Sequence, residues 1–423
     1  VSYEKRSSVI TTPDGSVVFE MKEVEGPRGW SQLATDIGVS KYFRKAGVPG
    51  SGRETSVRQV VTRVARTIRE AGEALGDYFD RPEDADAFEA ELSALLVRQH
   101  GAFNSPVWFN CGLYHRYGIE GSAGNYFWDP ETDSIRPTAN AYEHPQCSAC
   151  FIQGIDDDLM SIFNLVRSEA RVFKYGSGTG TNFSRLRGRK EKLSGGGTSS
   201  GLMSFLEVFD RAAGATKSGG TTRRAAKMVV LDMDHPEIVD FIEWKMKEEK
   251  KAQALIAAGY PSDFNGEAYH TISGQNSNNS VRVTDEFMRA VLSDGEWQTL
   301  DRTTGEKEQA YKARDLMQRI SEAAWACADP GVQYDTTIND WHTCADTDRI
   351  YASNPCSEFV FLDDTACNLA SVNLMKYLRE DGSFDIEGFR HACSIFILAQ
   401  EILVDFSSYP TEKIAKNSHD YRP

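Results

Sequence analysis

The sequence has few cysteines, few histidines and no long apolar run, and these shortages exclude several classes of protein. Its 423 residues include eight cysteines, too few for a disulfide-dense secreted scaffold of this size. No apolar stretch reaches the length of a membrane-spanning helix, and no signal or transit peptide is visible. We therefore expect a soluble protein of the reducing cytoplasm, where cysteines are either buried and inert or redox-active.

Positive charge is also scarce. Lys and Arg number 47 against 62 Asp and Glu, which gives a formal net charge of −15. Such a balance argues against a general positive field for nucleic acid. Anionic ligands such as nucleotides must instead be met by local clusters of Arg, Lys and backbone N–H groups. The chain is long enough for a large core and more than one structural unit.

Residues 351–374, YASNPCSEFVFLDDTACNLASVNL, carry the densest set of reactive side chains. Asn354, Cys356 and Glu358 occupy alternate positions, which in an extended or looped backbone point the same way. An amide, a thiol and a carboxylate can then converge on one small substrate. The plain alternative is a turn begun by Asn354-Pro355, with a small buried Cys and a solvated Glu.

A Cys-x-x-Cys pair, Cys147 and Cys150, lies in the segment PQCSACF at residues 145–151. This spacing is typical of a redox dithiol or of half a zinc site, with His342 and Cys344 as distant partners. The zinc interpretation is the weaker one, because it needs a second closely spaced ligand pair and these two residues supply a poor one.

Two glycine-rich segments, each followed by arginines, predict turns that bind anions. The first is GSGTGTN at residues 176–182, with four basic residues between 185 and 190, and the second is KSGGTTRR at residues 217–224. Neither is a Walker A loop or a dinucleotide fingerprint. Backbone N–H groups beside arginines nevertheless form an anion site on electrostatic grounds. Three aspartates at 156–158 precede a helix predicted over 159–174 and favour its N-terminus.

Hydrophobic periodicity predicts an α/β architecture of alternating strands and helices. Amphipathic helices are expected from Ser56 and from about residue 84, and an apolar segment at 103–110 is interpreted as a buried strand or its mouth. The remaining expectations are strands at 16–20 and 228–231 and helices at 313–328 and 386–406.

The NPCSE segment, followed by ACNLASVNL, resembles the active-site finger loop of ribonucleotide reductases, in the form of the class II, adenosylcobalamin-dependent enzymes. The resemblance runs from about residue 30 to the end of the chain, with NSPVWFN, SACF, GSGTG and DPGVQYD in family order. It implies a mainly helical region at 1–100 and the first part of a ten-stranded α/β barrel at 101–423. Effector loops are then expected at about 176–224 and a central finger loop at about 351–367.

The resemblance also implies roles for the residues of the finger loop. Cys356 becomes a thiyl radical that removes hydrogen from the ribose, Glu358 accepts the proton of the 3′-hydroxyl, and Asn354 orients the sugar. Cys150 and Cys367 supply the reducing equivalents and end as a disulfide.

Further residues carry implied roles outside that loop. Cys147 is an extra residue beside the match, so 147 and 150 stay alternatives for the redox position. Ser105 and Ala149 are implied to contact substrate. The residues implied to bind an allosteric nucleotide are Asp157, Arg187, Arg223 and Arg224.

As a whole, the resemblance implies reduction of ribonucleoside diphosphates with adenosylcobalamin as cofactor. Deoxynucleotide or ATP effectors, a thioredoxin-like reductant and a possible homodimer are the expected partners, with no nucleic acid and no membrane. Because Val1 is not a start methionine and family members are longer, we expect a fragment that is inactive alone. The alternatives are a class I large subunit and a non-catalytic module that binds nucleotides or is stabilised by zinc.

Overall fold

The structure is a computed structural model and describes residues 1–11, 15–76, 78–218, 223–263 and 266–423, with the backbone alone at 217, 218, 223 and 224. The chain divides into two compact units. The first unit comprises residues 1–149 and 366–423, and the second comprises residues 150–365.

The first unit begins with an antiparallel pair, β1 (Tyr3–Thr11) and β2 (Val17–Pro27), so the predicted strand at 16–20 is part of a longer one. Helix α1 (Gln32–Ile37) and one π-helical turn (Gly38–Tyr42) follow. The remaining elements up to residue 149 are α2 (Val57–Leu75), α3 (Pro82–Val97), β3 (Gly101–Phe103), α4 (Ser105–Asn110), α5 (Leu113–Tyr117), β4 (Tyr126–Asp129) and β5 (Ser134–Pro137).

Helix α2 forms where the sequence predicts it. The Ser56 side chain accepts a hydrogen bond from the backbone N–H of Arg58 and caps the helix. Five of its apolar residues recur at helical spacing and are buried: Val57, Val60, Val61, Val64 and Ile68.

The strand predicted over 103–110 is wrong beyond its first residue. Strand β3 ends at Phe103, and Ser105–Asn110 is a short helix with Pro106 in its first turn. Proline suits that place because its missing N–H would be unpaired there and its fixed φ is already helical.

The second unit is built on parallel strands separated by helices, which confirms the predicted α/β class. Five of its strands lie side by side in the order β14-β11-β10-β7-β6, and every pairing among them is parallel. Parallel strands buried on both faces read as apolar runs, as residues 228–231 do. The elements of this part of the chain are β6 (Cys150–Ile152), α6 (Leu159–Lys174), β7 (Gly178–Asn182), α7 (Leu202–Ala215), β8 (Lys217–Ser218), β9 (Arg223–Arg224), β10 (Ala226–Asp232), α8 (Ile238–Ala257), α9 (Glu267–Thr271), β11 (Asn278–Val283), α10 (Asp285–Leu292), β12 (Glu296–Leu300), β13 (Lys307–Lys312), α11 (Ala313–Cys327), β14 (Gly331–Tyr334), α12 (Asp335–Asp340), β15 (Ala352–Ser353) and β16 (Val360–Phe361).

The chain then completes the first unit. Strand β17 (Thr365–Cys367) spans the boundary, β18 (Ala370–Val372) pairs with β3, and β19 (Ser408–Tyr409) pairs with β4. Helices α13 (Ile386–Phe406) and α14 (Glu412–Tyr421) follow a single 3₁₀ turn (Leu374–Tyr377). Helix α13 packs its apolar face into one core with α2 and α3. In the part of the chain that the structure describes, no helix is both long and apolar enough to span a membrane.

Candidate active site

The Asn-Pro-Cys-Ser segment forms a tight turn at the end of a short hairpin. The carbonyl of Asn354 accepts a hydrogen bond from the N–H of Ser357 at 3.1 Å, and β15 pairs with β16 on either side. Asn at the first position and Pro at the second are the residues that a β-turn prefers. Cys356 therefore lies exposed at the tip of a turn, rather than within an extended stretch.

Asn354 and Glu358 meet at the thiol of Cys150 within the second unit. The amide Nδ2 of Asn354 donates to Cys150 Sγ at 3.0 Å, and the thiol donates to Oε1 of Glu358 at 3.6 Å. The other end of the Asn354 amide accepts from the N–H of Phe359 at 3.0 Å. A thiol can both accept and donate weak hydrogen bonds, so this geometry uses both capacities.

Two glycines of the GSGTG segment, Gly178 and Gly180, lie under this hairpin. A Cβ on Gly180 would lie 1.7 Å from the carbonyl oxygen of Ser353, and one on Gly178 would lie 2.9 Å from Cγ of Pro355. The interpretation of residues 176–182 as an exposed turn is wrong, because residues 178–182 form the buried strand β7. Glycine is required there so that the hairpin backbone can cross the strand closely.

Cys147 differs from Cys150 in its surroundings. It is fully buried in the core of the first unit, and its carbonyl accepts a hydrogen bond from Asn104 Nδ2 at 2.7 Å. Burial raises the pKa of its thiol well above the usual value, with a further contribution from Cys111. A thiolate is disfavoured at such a site, which sets Cys147 apart from reactive cysteines.

The other residues implied at the substrate lie in the first unit. Cys367 is buried, and its carbonyl accepts from the N–H of Ala149 at 3.0 Å. Ser105 begins helix α4, with its hydroxyl 3.1 Å from the hydroxyl of Tyr42.

Asp157 and Arg187 form an ion pair in the second unit. Nε of Arg187 lies 2.6 Å from Oδ2 of Asp157, and the backbone N–H of Arg187 donates to Oδ1 at 3.3 Å. The cap of helix α6 is the neighbouring Asp158, whose carboxylate accepts from the N–H of Ser161 at 2.9 Å. Asp157 is therefore not needed for capping.

Only the backbone is described for the second arginine pair. Arg223 and Arg224 form β9, which pairs antiparallel with β8, while residues 219–222 between the two strands lie outside the described residues. Their side chains lie outside the described part of the chain as well.

Two further residues contact the hairpin and were not predicted. Asn278 Nδ2 donates to the carbonyl of Pro355 at 2.7 Å, and Gln333 Nε2 donates to the hydroxyl of Ser353 at 2.8 Å. Asn278 lies in a polar run at 274–280, and Gln333 lies in the DPGVQYD segment, but neither pattern predicted a contact with the hairpin.

Metal binding was the other expectation for the cysteines and histidines. Among the described residues, no group of three or more His, Cys, Asp or Glu side chains is placed to hold a metal ion. His342 and Cys344 instead contact their own loop, at the carbonyl of Asp348 and the hydroxyl of Thr347.

Comparison with known proteins agrees with the resemblance. The family model "Ribonucleotide reductase, barrel domain" matches residues 148–423, and the model "Class II vitamin B12-dependent ribonucleotide reductase" matches residues 4–99. The chain belongs to the ribonucleotide reductase family, in its class II, vitamin B12-dependent branch.

Individual relatives carry the same description. The chain is 55% identical over its whole length to a vitamin B12-dependent ribonucleotide reductase of Rhodopirellula baltica, of which it covers 41%. It is 47% identical to the Streptomyces coelicolor protein of that name, again over the whole chain and 41% of the relative. A vitamin B12-dependent ribonucleoside-diphosphate reductase of Mycobacterium tuberculosis is 35% identical over 64% of this chain and 36% of its own length. These names fit the class II expectation. They do not fit the two alternatives, a class I large subunit and a non-catalytic module.

Proposed function

We propose that the complete protein reduces ribonucleotides, in the diphosphate form, to 2′-deoxyribonucleotides by thiyl-radical chemistry. The observation that carries this proposal is the meeting of Asn354, Glu358 and Cys150 at one point, on a turn that exposes Cys356. The diphosphate form is favoured by the name of the Mycobacterium tuberculosis relative. Since the chain spans about two fifths of its relatives' length, the activity is assigned to the complete protein.

Radical formation begins at Cys356. Its exposed thiol at the tip of a turn fits a radical source that approaches from outside the second unit. Cys356 would give up the hydrogen atom of its thiol to the radical that bound adenosylcobalamin would supply, and we assign most of the cofactor's contacts to residues outside this chain. As a thiyl radical, Cys356 then removes the hydrogen from the 3′ carbon of the ribose and returns it after the reduction, which regenerates the thiyl radical.

Proton transfer and reduction follow from the other side chains. Glu358 accepts the 3′-hydroxyl proton, and Asn354 holds the sugar hydroxyls by hydrogen bonds. The 2′-hydroxyl leaves as water, while Cys150 and Cys367 give up two electrons and two protons and form a disulfide. The 3.6 Å contact between the Cys150 thiol and Glu358 supports proton exchange between these two groups. A thioredoxin-like partner restores the two thiols by exchange.

For the remaining substrate contacts, we propose that the Ser105 hydroxyl and the backbone of Ala149 bind the nucleotide. Ser105 begins the short helix α4, and its hydroxyl is a group that can bind a sugar or phosphate oxygen. Cys147 is assigned no redox role, because the cysteine that contacts Asn354 and Glu358 is Cys150.

At the level of architecture, we propose a mainly helical region at 1–100 and the first part of a ten-stranded α/β barrel at 101–423, with the finger loop at its centre. The five parallel strands of the second unit, crossed by the Cys356 hairpin, support this arrangement.

Allosteric control completes the proposal. Asp157 and Arg187 bind the ribose and phosphate of a deoxynucleotide or ATP effector, together with Arg223 and Arg224 of the second glycine-rich segment. Because Asp157 and Arg187 are already paired, one place holds a carboxylate that can accept hydrogen bonds from ribose hydroxyls and a guanidinium that can donate hydrogen bonds to phosphate.

Apolar side chains exposed on α6 and α7 support a homodimer: Leu159, Met160, Phe163 and Val208. We place the protein in the cytoplasm, supplying precursors for DNA synthesis.

The deciding experiment is turnover by the complete protein. With adenosylcobalamin, a dithiol reductant and a ribonucleoside diphosphate, we expect the deoxynucleotide as product, no product from Cys356→Ser, and full activity from the control Cys344→Ser. The chain of residues 1–423 is expected to be inactive under the same conditions. Absence of product from the complete wild-type protein would refute the proposed function.

The redox pair is tested separately on residues 1–423 by mass spectrometry after mild oxidation. We expect a disulfide between Cys150 and Cys367 that thioredoxin reduces. A disulfide between Cys147 and Cys150 would contradict the assignment, and stoichiometric zinc would favour the scaffold alternative.

A further inference from the structure

We propose that Asn278 is a positioning residue for Cys356, which it holds in place through the carbonyl of Pro355. The proposal rests on the proposed function, because it gives Asn278 a part in the radical step that Cys356 carries out.

The contact is made to the peptide that leads into Cys356. Nδ2 of Asn278 lies 2.7 Å from the carbonyl oxygen of Pro355, and this carbonyl belongs to the peptide plane that joins Pro355 to Cys356. Because the peptide is planar, fixing its oxygen also fixes the direction in which the chain enters Cys356. Only a side chain that donates can do this, since a carbonyl oxygen accepts.

The sheet places Asn278 beneath the turn. Gly180, Met228 and Asn278 are register partners on the adjacent strands β7, β10 and β11, so they form one row across the sheet. The carbonyl of Ser353 lies over Gly180 at one end of this row, and the carbonyl of Pro355 is bound by Asn278 at the other. The turn therefore runs along this row, and Asn278 binds it at the Pro355 end.

A second strand fixes the Ser353 end of the turn. Gln333 on β14 donates to the hydroxyl of Ser353 at 2.8 Å, and that hydroxyl donates to the carbonyl of Asn354 at 2.9 Å. The Gln333 amide is itself oriented by Arg282, whose guanidinium donates to its Oε1 at 3.1 Å. A buried network thus holds the Ser353 end of the turn, and Asn278 binds the carbonyl at the Pro355 end.

Packing on the opposite side of Pro355 completes the restraint. Gly178 leaves room for the proline ring, whose Cγ would lie 2.9 Å from a Cβ at that position. Pro355 is therefore held between the backbone of β7 and the amide of Asn278. Asn278 itself is exposed at the start of β11, so its replacement leaves the buried part of that strand unchanged.

The test uses Asn278→Ala and the nearly isosteric Asn278→Asp, which keeps the shape but cannot donate. In residues 1–423, hydrogen exchange is measured at Ser357 and Phe359, whose N–H groups bond to Asn354 across the turn. Loss of one hydrogen bond of ordinary strength predicts about fivefold faster exchange at both amides in both variants. Asn164→Asp, an exposed site on α6, is the matched control and should exchange as the wild type does.

The complete protein gives the second measurement. We expect kcat to fall about fivefold or more in both variants with KM unchanged, because a misdirected thiol affects the radical step and not substrate binding. Unchanged exchange at Ser357 and Phe359 would overturn the proposal, as would faster exchange with an unaltered kcat. If the complete wild-type protein made no deoxynucleotide, the proposed function would fail, whereas the exchange data would still decide whether Asn278 holds the turn.

Discussion

The thiol sulfur of Cys150 lies 3.6 Å from Oε1 of Glu358, although 208 positions separate the two residues in the chain. This contact joins the strand that carries a proposed reductant to the turn that carries the proposed radical. A carboxylate in this place can accept a proton from substrate and exchange one with the thiol.

Replacing Glu358 by Gln in the complete protein tests this contact. The amide cannot accept the proton of the 3′-hydroxyl, so kcat should fall about 10²- to 10⁴-fold, the usual worth of a general base. Steady-state turnover measures it, with Glu322→Gln, exposed on α11, as the matched control that keeps full activity. A Glu358→Gln enzyme within tenfold of the wild type would show that the carboxylate is not the base.

Gly180→Ala should lower the stability of residues 1–423. Its Cβ would lie 1.7 Å from the carbonyl oxygen of Ser353, so either the hairpin or strand β7 must shift. We expect the free energy of unfolding to fall by about 3 kcal/mol, near the upper end for an overpacked core, or the hairpin to be displaced. Urea denaturation measures the loss, and Gly195→Ala, where no heavy atom lies within 4 Å, is the control expected to be near neutral. Equal stability of the two variants would contradict the close crossing.

Arg63→Ala should destabilise the first unit strongly. The buried guanidinium pairs with the buried Glu54 at 2.7 Å and also donates to the carbonyl of Trp108 at 3.0 Å. Its removal leaves an uncompensated buried carboxylate, which costs about 3–5 kcal/mol. Thermal and urea unfolding measure the change in the free energy of unfolding. The control is Arg66→Ala, which removes an exposed ion pair with Glu70 and should cost no more than about 1 kcal/mol of stability. Similar losses in both variants would contradict the prediction.

The stability of the second unit should fall at acid pH because of His235. Burial lowers the pKa of His235 to about 4 from an ordinary value of 6.5. Its Nδ1 accepts from the N–H of Glu237 at 3.0 Å, so the neutral ring is already satisfied. Because the unfolded chain takes up the proton first, stability is lost as the pH falls from about 6.5 towards 4, by about 2 kcal/mol between pH 7 and pH 5. Urea denaturation at pH 7 and pH 5 measures this difference in the free energy of unfolding. The difference should be smaller in His235→Asn and unchanged in the control His391→Asn, whose side chain is exposed. An undiminished difference in His235→Asn would refute the assignment.

Asp157→Asn should weaken effector binding. The neutral amide loses the charged acceptor for the ribose hydroxyls and no longer orients Arg187, with which Asp157 pairs at 2.6 Å. We expect a deoxynucleoside triphosphate to bind the complete protein about tenfold more weakly, as measured by calorimetry, the effect of losing one charge-assisted hydrogen bond. Asp156→Asn, whose carboxylate is highly exposed, is the control. Equal affinity of the two variants would remove Asp157 from the effector site.

Features that depend on nearby residues were predictable. The bounds of α6 and α13 match the expected 159–174 and 386–406, because helical periodicity and caps are written in neighbouring positions. The turn at Asn354 was weighed as the plain alternative and is the conformation found, since Asn-Pro favours turns by its own stereochemistry.

Features that depend on distant residues were not predictable. Residues 178–182 have the composition of a flexible turn, yet they form a buried strand because the Cys356 hairpin must cross them without side chains between. Likewise, nothing near residue 278 in the chain indicates that its amide binds the carbonyl of Pro355.

The sequence by itself determined the α/β class and the family, because these follow from local patterns and short motifs. The tertiary structure alone decided that Cys150 and not Cys147 meets Asn354 and Glu358, and that Asn278 reaches the turn. The physical reason is that hydrogen bonds between side chains act over about 3 Å, so they are fixed by how strands lie together and not by separation along the chain.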